Sequence, residues 1–315
     1  MLGRMISQLP ATSREDLLAA AELMAGPWLA GSELAFATPA GIEWWHASSW
    51  PDALEDHLRL WSDGDDVAAW SWHDQGEVEW MAWTGDRDRD RAVVETILEH
   101  ALAATPTAAL GSWSDEADID TVELLARHGF VPHGRRLSQW QHRAEDGTTA
   151  PVSLPDGYVA RGLRGAEEIE ARVEVHRAAF APSRLSAEKY ERLITLPHYR
   201  FDLDLVVEAP DGSLAAFALG WWDPVARVGE FEPVGTDPEH QRRGLARGLL
   251  VHGLARFAEL GATVVQVYSD ADDPGPEALY ASAGFRRHAQ HRRYERPAPA
   301  GAPPPDEPSP NVPSP

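Results

Sequence analysis

The C-terminal half of the chain alternates apolar and polar positions over short stretches, which predicts strands, and between them runs apolar residues at helical spacing. Tyr158–Leu163 reads as a short strand. Gly165–Phe180 predicts an amphipathic helix with Ile169, Val173, His176 and Phe180 on one stripe. Ser186 is placed to cap a second helix whose Tyr190, Leu193 and Ile194 face inward. Leu203–Glu208 and Leu214–Trp222 form strands joined by the turn Pro210-Asp211-Gly212, and Val228–Thr236 is the next strand. A helix from about Gly244 to Leu260 stops at Gly261, where helices favour glycine. Thr263–Tyr268 is a buried strand, Glu277–Ala283 a short helix ending at Gly284, and the last strand includes His291–Glu295.

The N-terminal half repeats much of this order. Val67–His73 and Val78–Trp83 pair across Gln75-Gly76, a helix covers Arg91–Ala104, Ala108–Trp113 is a strand, and a helix through Val122–His128 ends in Gly129-Phe130. That ending, LLARHGF, parallels LYASAGF at Leu279–Phe285, and the Gly-Phe pairs lie 285 − 130 = 155 residues apart, about half the chain. A shared Gly-Phe after a helix can arise by chance, but the matching order of elements favours an internal repeat. The expected fold is α/β, a mixed and mostly antiparallel sheet flanked by helices, present as two tandem domains. The turn-rich stretch 144–157 divides them, giving domains at 1–145 and 153–296. The tail 297–315, rich in proline, has almost no apolar bulk and is expected to be disordered.

Charge narrows the partners. The 315 residues carry 50 acidic and 28 basic side chains, a formal net charge of -22. Such a field repels phosphate backbones and anionic lipid, so nucleic acid and membrane surfaces are not expected partners. It would favour a cationic small molecule, although a solvated acidic surface is the commoner cause. The absence of cysteine removes disulfides, thiolate metal sites and a cysteine nucleophile. No apolar stretch resembling a signal peptide stands in MLGRMISQLPATSRE, and no run approaches the ~20 apolar residues of a membrane span, so a cytoplasmic location is expected. No metal is expected, because the thirteen histidines show no ligand spacing and no His-Glu-x-x-His occurs. Monomer and homodimer are both compatible with the sequence.

The informative stretch is Gly229–Leu250, GEFEPVGTDPEHQRRGLARGLL. A strand ends at Thr236, a turn with proline follows, and Gln241-Arg242-Arg243-Gly244-Leu245-Ala246 opens a helix. The first turn of a helix leaves N–H groups unpaired and its dipole favours negative charge, which makes an anion site. Gly244 lets a phosphate approach the backbone, and Arg242, Arg243 and Arg247 add positive charge to an otherwise acidic chain.

This stretch resembles motif A of the GCN5-related N-acetyltransferases, Gln/Arg-x-x-Gly-x-Gly/Ala, which Gln241, Gly244 and Ala246 satisfy. The six-residue signature is weak alone; its setting after V-G-T-D-P and before LYASAGF makes it specific. The resemblance covers about Gly157–Arg296, and the tandem arrangement looks like the mycothiol synthase branch of that family. It implies acetyl-CoA as co-substrate, with its pyrophosphate on the amides of Gln241–Arg247, Leu245 and Ala246 included. It also implies that the pantetheine arm pairs with Val234, Gly235 and Thr236, on a strand splayed from its neighbour with the help of Pro233. The chain departs from the pattern at Asp273, where such proteins often carry asparagine, so a pantetheine contact there is expected only by position.

Transfer to an amine needs a base, since an ammonium has no lone pair, and an acid for the departing thiolate. Glu230 and Glu232 alternate onto one face of their strand and can raise one another's pKa. The resemblance puts Glu230 where the family carries its base, with Glu232 one step nearer the thioester; surface carboxylates are the alternative for each. It also places Tyr280 where a family tyrosine protonates the CoA sulfur, a buried core aromatic being the bland reading.

The N-terminal half lacks this equipment. WTGDRDRDRAVVETIL has no Gly-x-Gly/Ala turn, Asp86, Asp88 and Asp90 stand where phosphates would arrive, and Leu125 replaces the tyrosine. Eleven of the thirteen tryptophans lie in this half, among them Trp44, Trp45, Trp70, Trp72, Trp80 and Trp83, read mainly as packing, with a ligand wall as the sharper option. The expected activity is acetyl-CoA-dependent N-acetylation of a small-molecule amine by direct attack on the thioester, a cationic amine being the kind the acidic field favours. A non-catalytic acyl-CoA-binding protein and transfer of a different acyl group remain open at this point.

Overall fold

The computed structural model describes residues 6–49, 52–147 and 150–299. Most of the tail expected to be disordered, 300–315, lies outside them, as do residues 148 and 149 of the expected domain boundary. No described helix is long and apolar enough to cross a membrane.

In chain order the elements are β1 (Ile6–Pro10), α1 (Arg14–Leu29), α2 (Gly41–Ser49), α3 (Leu54–His57), β2 (Leu58–Asp63), β3 (Asp66–Asp74), β4 (Glu77–Ala82), α4 (Arg87–Ala104), β5 (Leu110–Asp115), α5 (Ile119–Arg127) and β6 (Val131–Arg143). There follow β7 (Val159–Gly162), α6 (Ile169–Ala179), α7 (Ala187–Leu193), β8 (Asp204–Glu208), β9 (Leu214–Asp223), β10 (Val228–Thr236), α8 (Leu245–Leu260), β11 (Val264–Asp270), α9 (Pro274–Ser282) and β12 (Arg286–Arg296). Caps behave as the sequence predicts: Ser186 accepts from the Lys189 amide at the start of α7, and Gly261 closes α8 in a left-handed conformation.

The chain forms two compact units, and their limits differ from a simple cut at 144–157. Among the described residues the first takes 6–42, 52–137 and 289–299, and the second takes 43–49, 138–147 and 150–288. Within the first unit the strand order is β1-β2-β3-β4-β5-β12, with His291–Arg296 of β12 antiparallel to β5. Its core gathers Trp61, Val78, Ile97, Leu98, Leu125, Phe130 and Tyr294. Within the second the order is β6-β11-β10-β9-β8-β7, the latter half of β6 lying beside β11. Neither β6 (VPHGRRLSQWQHR) nor β12 (RRHAQHRRYER) alternates apolar and polar residues, so periodicity does not assign them a partner.

In the second unit β9 is buried along its whole length and packs α6 on one side and α8 on the other. Leu245, Leu249, Leu250, Leu254 and Phe257 of α8 meet Leu205, Val207, Ala216, Ala218 and Phe231. The stretch before β7 has no periodicity, yet Val152 and Leu154 pack on this core. Gly248 makes that possible, because a Cβ there would stand 2.5 Å from a Leu154 methyl.

Candidate active site

The site begins where two parallel strands part. β10 and β11 are in register only over Val228–Glu230, opposite Val264–Gln266. From Phe231 on, β10 keeps only its β9 partner, and that ladder is itself irregular between Phe231 and Val234, where Pro233 has no N–H to give. One edge of Val234, Gly235 and Thr236, all half-buried, is therefore left to pair with something other than β11. This is the splayed strand that the resemblance implies.

Beyond Thr236 the chain turns into α8. Gly244 is its N-cap at φ 77°, a left-handed conformation that an L-residue adopts reluctantly, and no side chain caps the helix. A Cβ on Gly244 would touch no protein atom, so the residue answers a backbone demand and not a packing one. The amides of the first turn thus face outward unanswered by any side chain, with the positive end of the dipole behind them. Gln241, Arg242, Arg243 and Arg247 are exposed around this turn, Ala246 is half-buried and Leu245 anchors in the core. Two of the arginines are oriented by the protein. Arg243 donates to the Tyr158 hydroxyl at 2.9 Å, and Arg247 to the Ser282 carbonyl at 2.9 Å. Asp273 caps α9, its Oδ1 accepting from the Gly275 amide at 2.9 Å, so its carboxylate already has a local role.

The paired glutamates do share a face. Glu230 is buried at 4% exposure and accepts from Gln266 Nε2 at 3.1 Å; Gln266 Oε1 in turn accepts from Gln139 Nε2 at 2.7 Å. Glu232 is only half-buried and hydrogen-bonds the Glu230 carboxyl. Burial pushes its carboxyl well above the ordinary carboxylate range and the Glu230 charge adds to the rise, while a hydrogen bond from the Trp44 side chain pulls the other way. Tyr280, on α9, is buried against Trp140 and Phe285. Burial, and then the charge of Glu232, raise its phenol above the usual value, so it holds its proton through the neutral range. The fold therefore brings Glu230, Glu232 and Tyr280 into one electrostatic neighbourhood, close to where β10 leaves β11.

Comparison with known proteins now decides the family. Residues 170–285 match the model of the acetyltransferase (GNAT) family. A mycothiol acetyltransferase of Kytococcus sedentarius is 31% identical over 242 residues, covering 67% of this chain and 80% of that protein. Another, from Nocardioides, is 30% identical over 231 residues, covering 65% and 77%. The chain belongs to the GNAT acetyltransferases. Solved structures agree on the fold. A GCN5-related N-acetyltransferase from Sphaerobacter thermophilus superposes with TM-score 0.63 at 19% identity, over 93% of this chain and 96% of that one. A tandem GNAT protein from the clavulanic acid biosynthesis pathway gives TM-score 0.61 at 16% identity, over 96% and 100%.

Against that GNAT frame the first unit keeps part of the pattern and loses another part. Its β4 and β5 run parallel with Glu77 opposite Gly111, as Glu230 stands opposite Gln266, so Glu77 and Glu79 occupy the places of Glu230 and Glu232. Glu77 is tied to Trp113 Nε1 and Arg293 Nε. Asp86 caps α4 with its own carboxylate, accepting from the Asp88 and Arg89 amides at 3.0 and 3.2 Å. Leu125 is fully buried.

Sequence reading missed three residues of the second unit's site: Gln266, Gln139 and Trp44. Gln266 carried a signal, a single amide in the apolar strand TVVQVYS, which needs a buried partner. Trp44 carried none, because nothing in its local pattern ties it to a glutamate almost two hundred residues later.

Proposed function

We propose that this acetyltransferase takes its acetyl group from acetyl-CoA and gives it to the amine of a small molecule. The observation that carries the reading is the conjunction in the second unit of a splayed strand edge, an uncapped helix start at Gly244 and a carboxylate pair beside Tyr280. The donor set fits the co-substrate. Backbone amides of Gln241–Arg247, with Arg242 exposed beside them, suit a pyrophosphate, and the free edge of Val234–Thr236 suits the amide-bearing pantetheine arm. The first unit, with Asp86 on its helix start, is read as degenerate and without CoA.

The roles follow from the environments. Glu230 is buried and its carboxylate is already held by Gln266, which leaves it little freedom. Glu232 is the more exposed of the pair, and burial and then the Glu230 charge raise its pKa above the ordinary carboxylate range, the direction that makes it the stronger base when ionised. The structure thus favours Glu232, where the resemblance favoured Glu230, as the group that takes the ammonium proton. The freed amine attacks the thioester carbonyl, the tetrahedral adduct collapses with cleavage of the C–S bond, the departing sulfur receives a proton from Tyr280, and the proton that the new amide nitrogen sheds restores the phenol through solvent. The name of the relatives puts the amine of a mycothiol precursor first among acceptors to test.

The test is thiol release from acetyl-CoA in the presence of a panel of amines. Turnover that depends on one amine, with product heavier by one acetyl group, supports the reading. Tight CoA binding without turnover for any amine would make this a binding protein instead.

A further inference from the structure

Three buried polar side chains stand in file across neighbouring strands of the second unit: Gln139 on β6, Gln266 on β11 and Glu230 on β10. Gln139 Nε2 donates to Gln266 Oε1 at 2.7 Å, and Gln266 Nε2 donates to Glu230 Oε2 at 3.1 Å. Gln266 is opposite Glu230 in the parallel register, and theirs is the last rung before β10 and β11 part. The side-chain bond therefore lies at the fork itself, from which the free edge of Val234–Thr236 runs on.

The order of donors fixes which way the middle amide faces. Its NH2 can only donate and its oxygen can only accept. With the NH2 of Gln139 aimed at it, Gln266 turns its oxygen toward β6, and its own NH2 falls on Glu230. The reverse orientation would set NH2 against NH2 on one side and oxygen against the carboxyl on the other. Apolar packing does not ask for an amide here. Val265 and Val267, which alternate to the opposite face of β11, belong to the apolar core, whereas Gln266 is a polar group buried with its bonds made.

The first unit supplies the contrast. Gly111 takes the place of Gln266 there, and a Cβ on it would stand 2.7 Å from Arg293 Nη2, so a guanidinium occupies that space. Glu77, in the place of Glu230, accepts from Arg293 Nε and from Trp113 Nε1. In the unit read as degenerate the carboxyl is closed off by a cation. In the second unit a neutral amide holds it, which orients the group and brings no counter-charge.

We propose that Gln266, oriented by Gln139, is a positioning residue for acetyl transfer: it fixes the Glu230 carboxyl at the fork, on the face of β10 that Glu232 shares, where the amine's proton is taken. The proposal rests on the reading of this unit as an acetyltransferase site in which the glutamate pair handles that proton.

The experiment compares the full chain with Gln266→Met and Gln139→Met, using acetyl-CoA and the amine that turns over in the panel described above. Gln266→Met should lower kcat about tenfold, the upper end for one buried hydrogen bond, with KM for both substrates nearly unchanged. Calorimetry with CoA should give the wild-type stoichiometry and affinity, which shows that the folded fraction has not fallen. Gln139→Met leaves Gln266 in place but frees its amide to turn, and should cost less in the same direction. In a Glu230→Gln background Gln266→Met should add little, because both act through one carboxyl. An equal loss in either background, or an unchanged kcat, would make the amide file a structural tie and overturn the proposal. If Gln266→Met does not fold, Gln139→Met decides: a kcat equal to wild type overturns it. Failure of the wild-type chain to acetylate any amine would instead bring down the proposed function, and this role with it.

Discussion

Asp86 closes the start of α4 with its own carboxylate, whereas Gly244, at the start of the equivalent helix α8, leaves the first amides without a side-chain cap. An anionic cap and an anionic ligand compete for the same donors, so a helix start has room for one of them.

The expected consequence is one CoA per chain. Calorimetry should give a stoichiometry near one, and Gly244→Asp should abolish the heat, since it adds a Cβ at φ 77° and a negative charge where pyrophosphate would sit. Two equivalent sites would show that Asp86 gives way to ligand.

The pH dependence of transfer should report Glu232. A base works only when ionised, so activity falls as pH drops through its raised pKa. Glu230→Gln removes the like charge that contributes to that rise, and the acid limb should therefore move to lower pH. Glu232→Gln should cost about 10²–10⁴-fold in rate and abolish the limb, with CoA affinity nearly unchanged. Loss of the limb in Glu230→Gln instead would return the base to the position the resemblance favoured.

Tyr280→Phe should lower kcat without moving the acid limb. The phenol keeps its proton through the neutral range, because burial and Glu232 both disfavour the phenolate. The missing group is a donor to sulfur, which no added hydroxide replaces. Pre-steady-state kinetics with thioesters of better leaving groups provide the check: the defect should shrink as the thiol becomes more acidic. An equal defect for all thioesters would make Tyr280 a packing residue against Trp140 and Phe285.

What was legible in the sequence were features set within a few residues. The turn at Gly244, the caps at Ser186 and Gly261 and the shared face of Glu230 and Glu232 all follow from local backbone rules. The tandem fold followed from two Gly-Phe helix endings, and the GNAT match and fold neighbours support it. Partnership was not legible. β12 pairs with β5 and β6 lies beside β11, and no alternation of apolar and polar residues in either strand encodes that choice. For the same reason the pattern around Trp44 fits packing and a ligand wall alike, because no spacing encodes where α2 docks. The pair Glu77 and Glu79 emerged only when the parallel register of β4 and β5 was set beside that of β10 and β11.

Stability of the second unit should depend on one buried pair of charges. Arg172 on α6 and Asp204 on β8 have fully buried side chains and meet at 2.9 Å through Nε. Asp204 also accepts from the hydroxyls of Tyr190 and Tyr199, so its remaining lone pairs are answered. The guanidinium carbon sits 3.9 Å from the centre of the Phe217 ring, which returns part of the lost solvation as a cation–π contact. His176, one turn along α6, adds no competing positive charge, because burial and then Arg172 push its pKa down to about 3. Asp204→Asn removes the counter-charge and leaves a buried cation, which costs about 3–5 kcal/mol when one partner of such a pair is lost. Arg172→Met removes the cation and strands Asp204 with two phenols, and should cost a similar amount. The double variant should lose less than the sum, since neither charge is then left alone. Denaturant unfolding of the three variants measures this. Additive losses would show that the two residues stabilise the unit separately, Arg172 through Phe217 and Asp204 through the tyrosines.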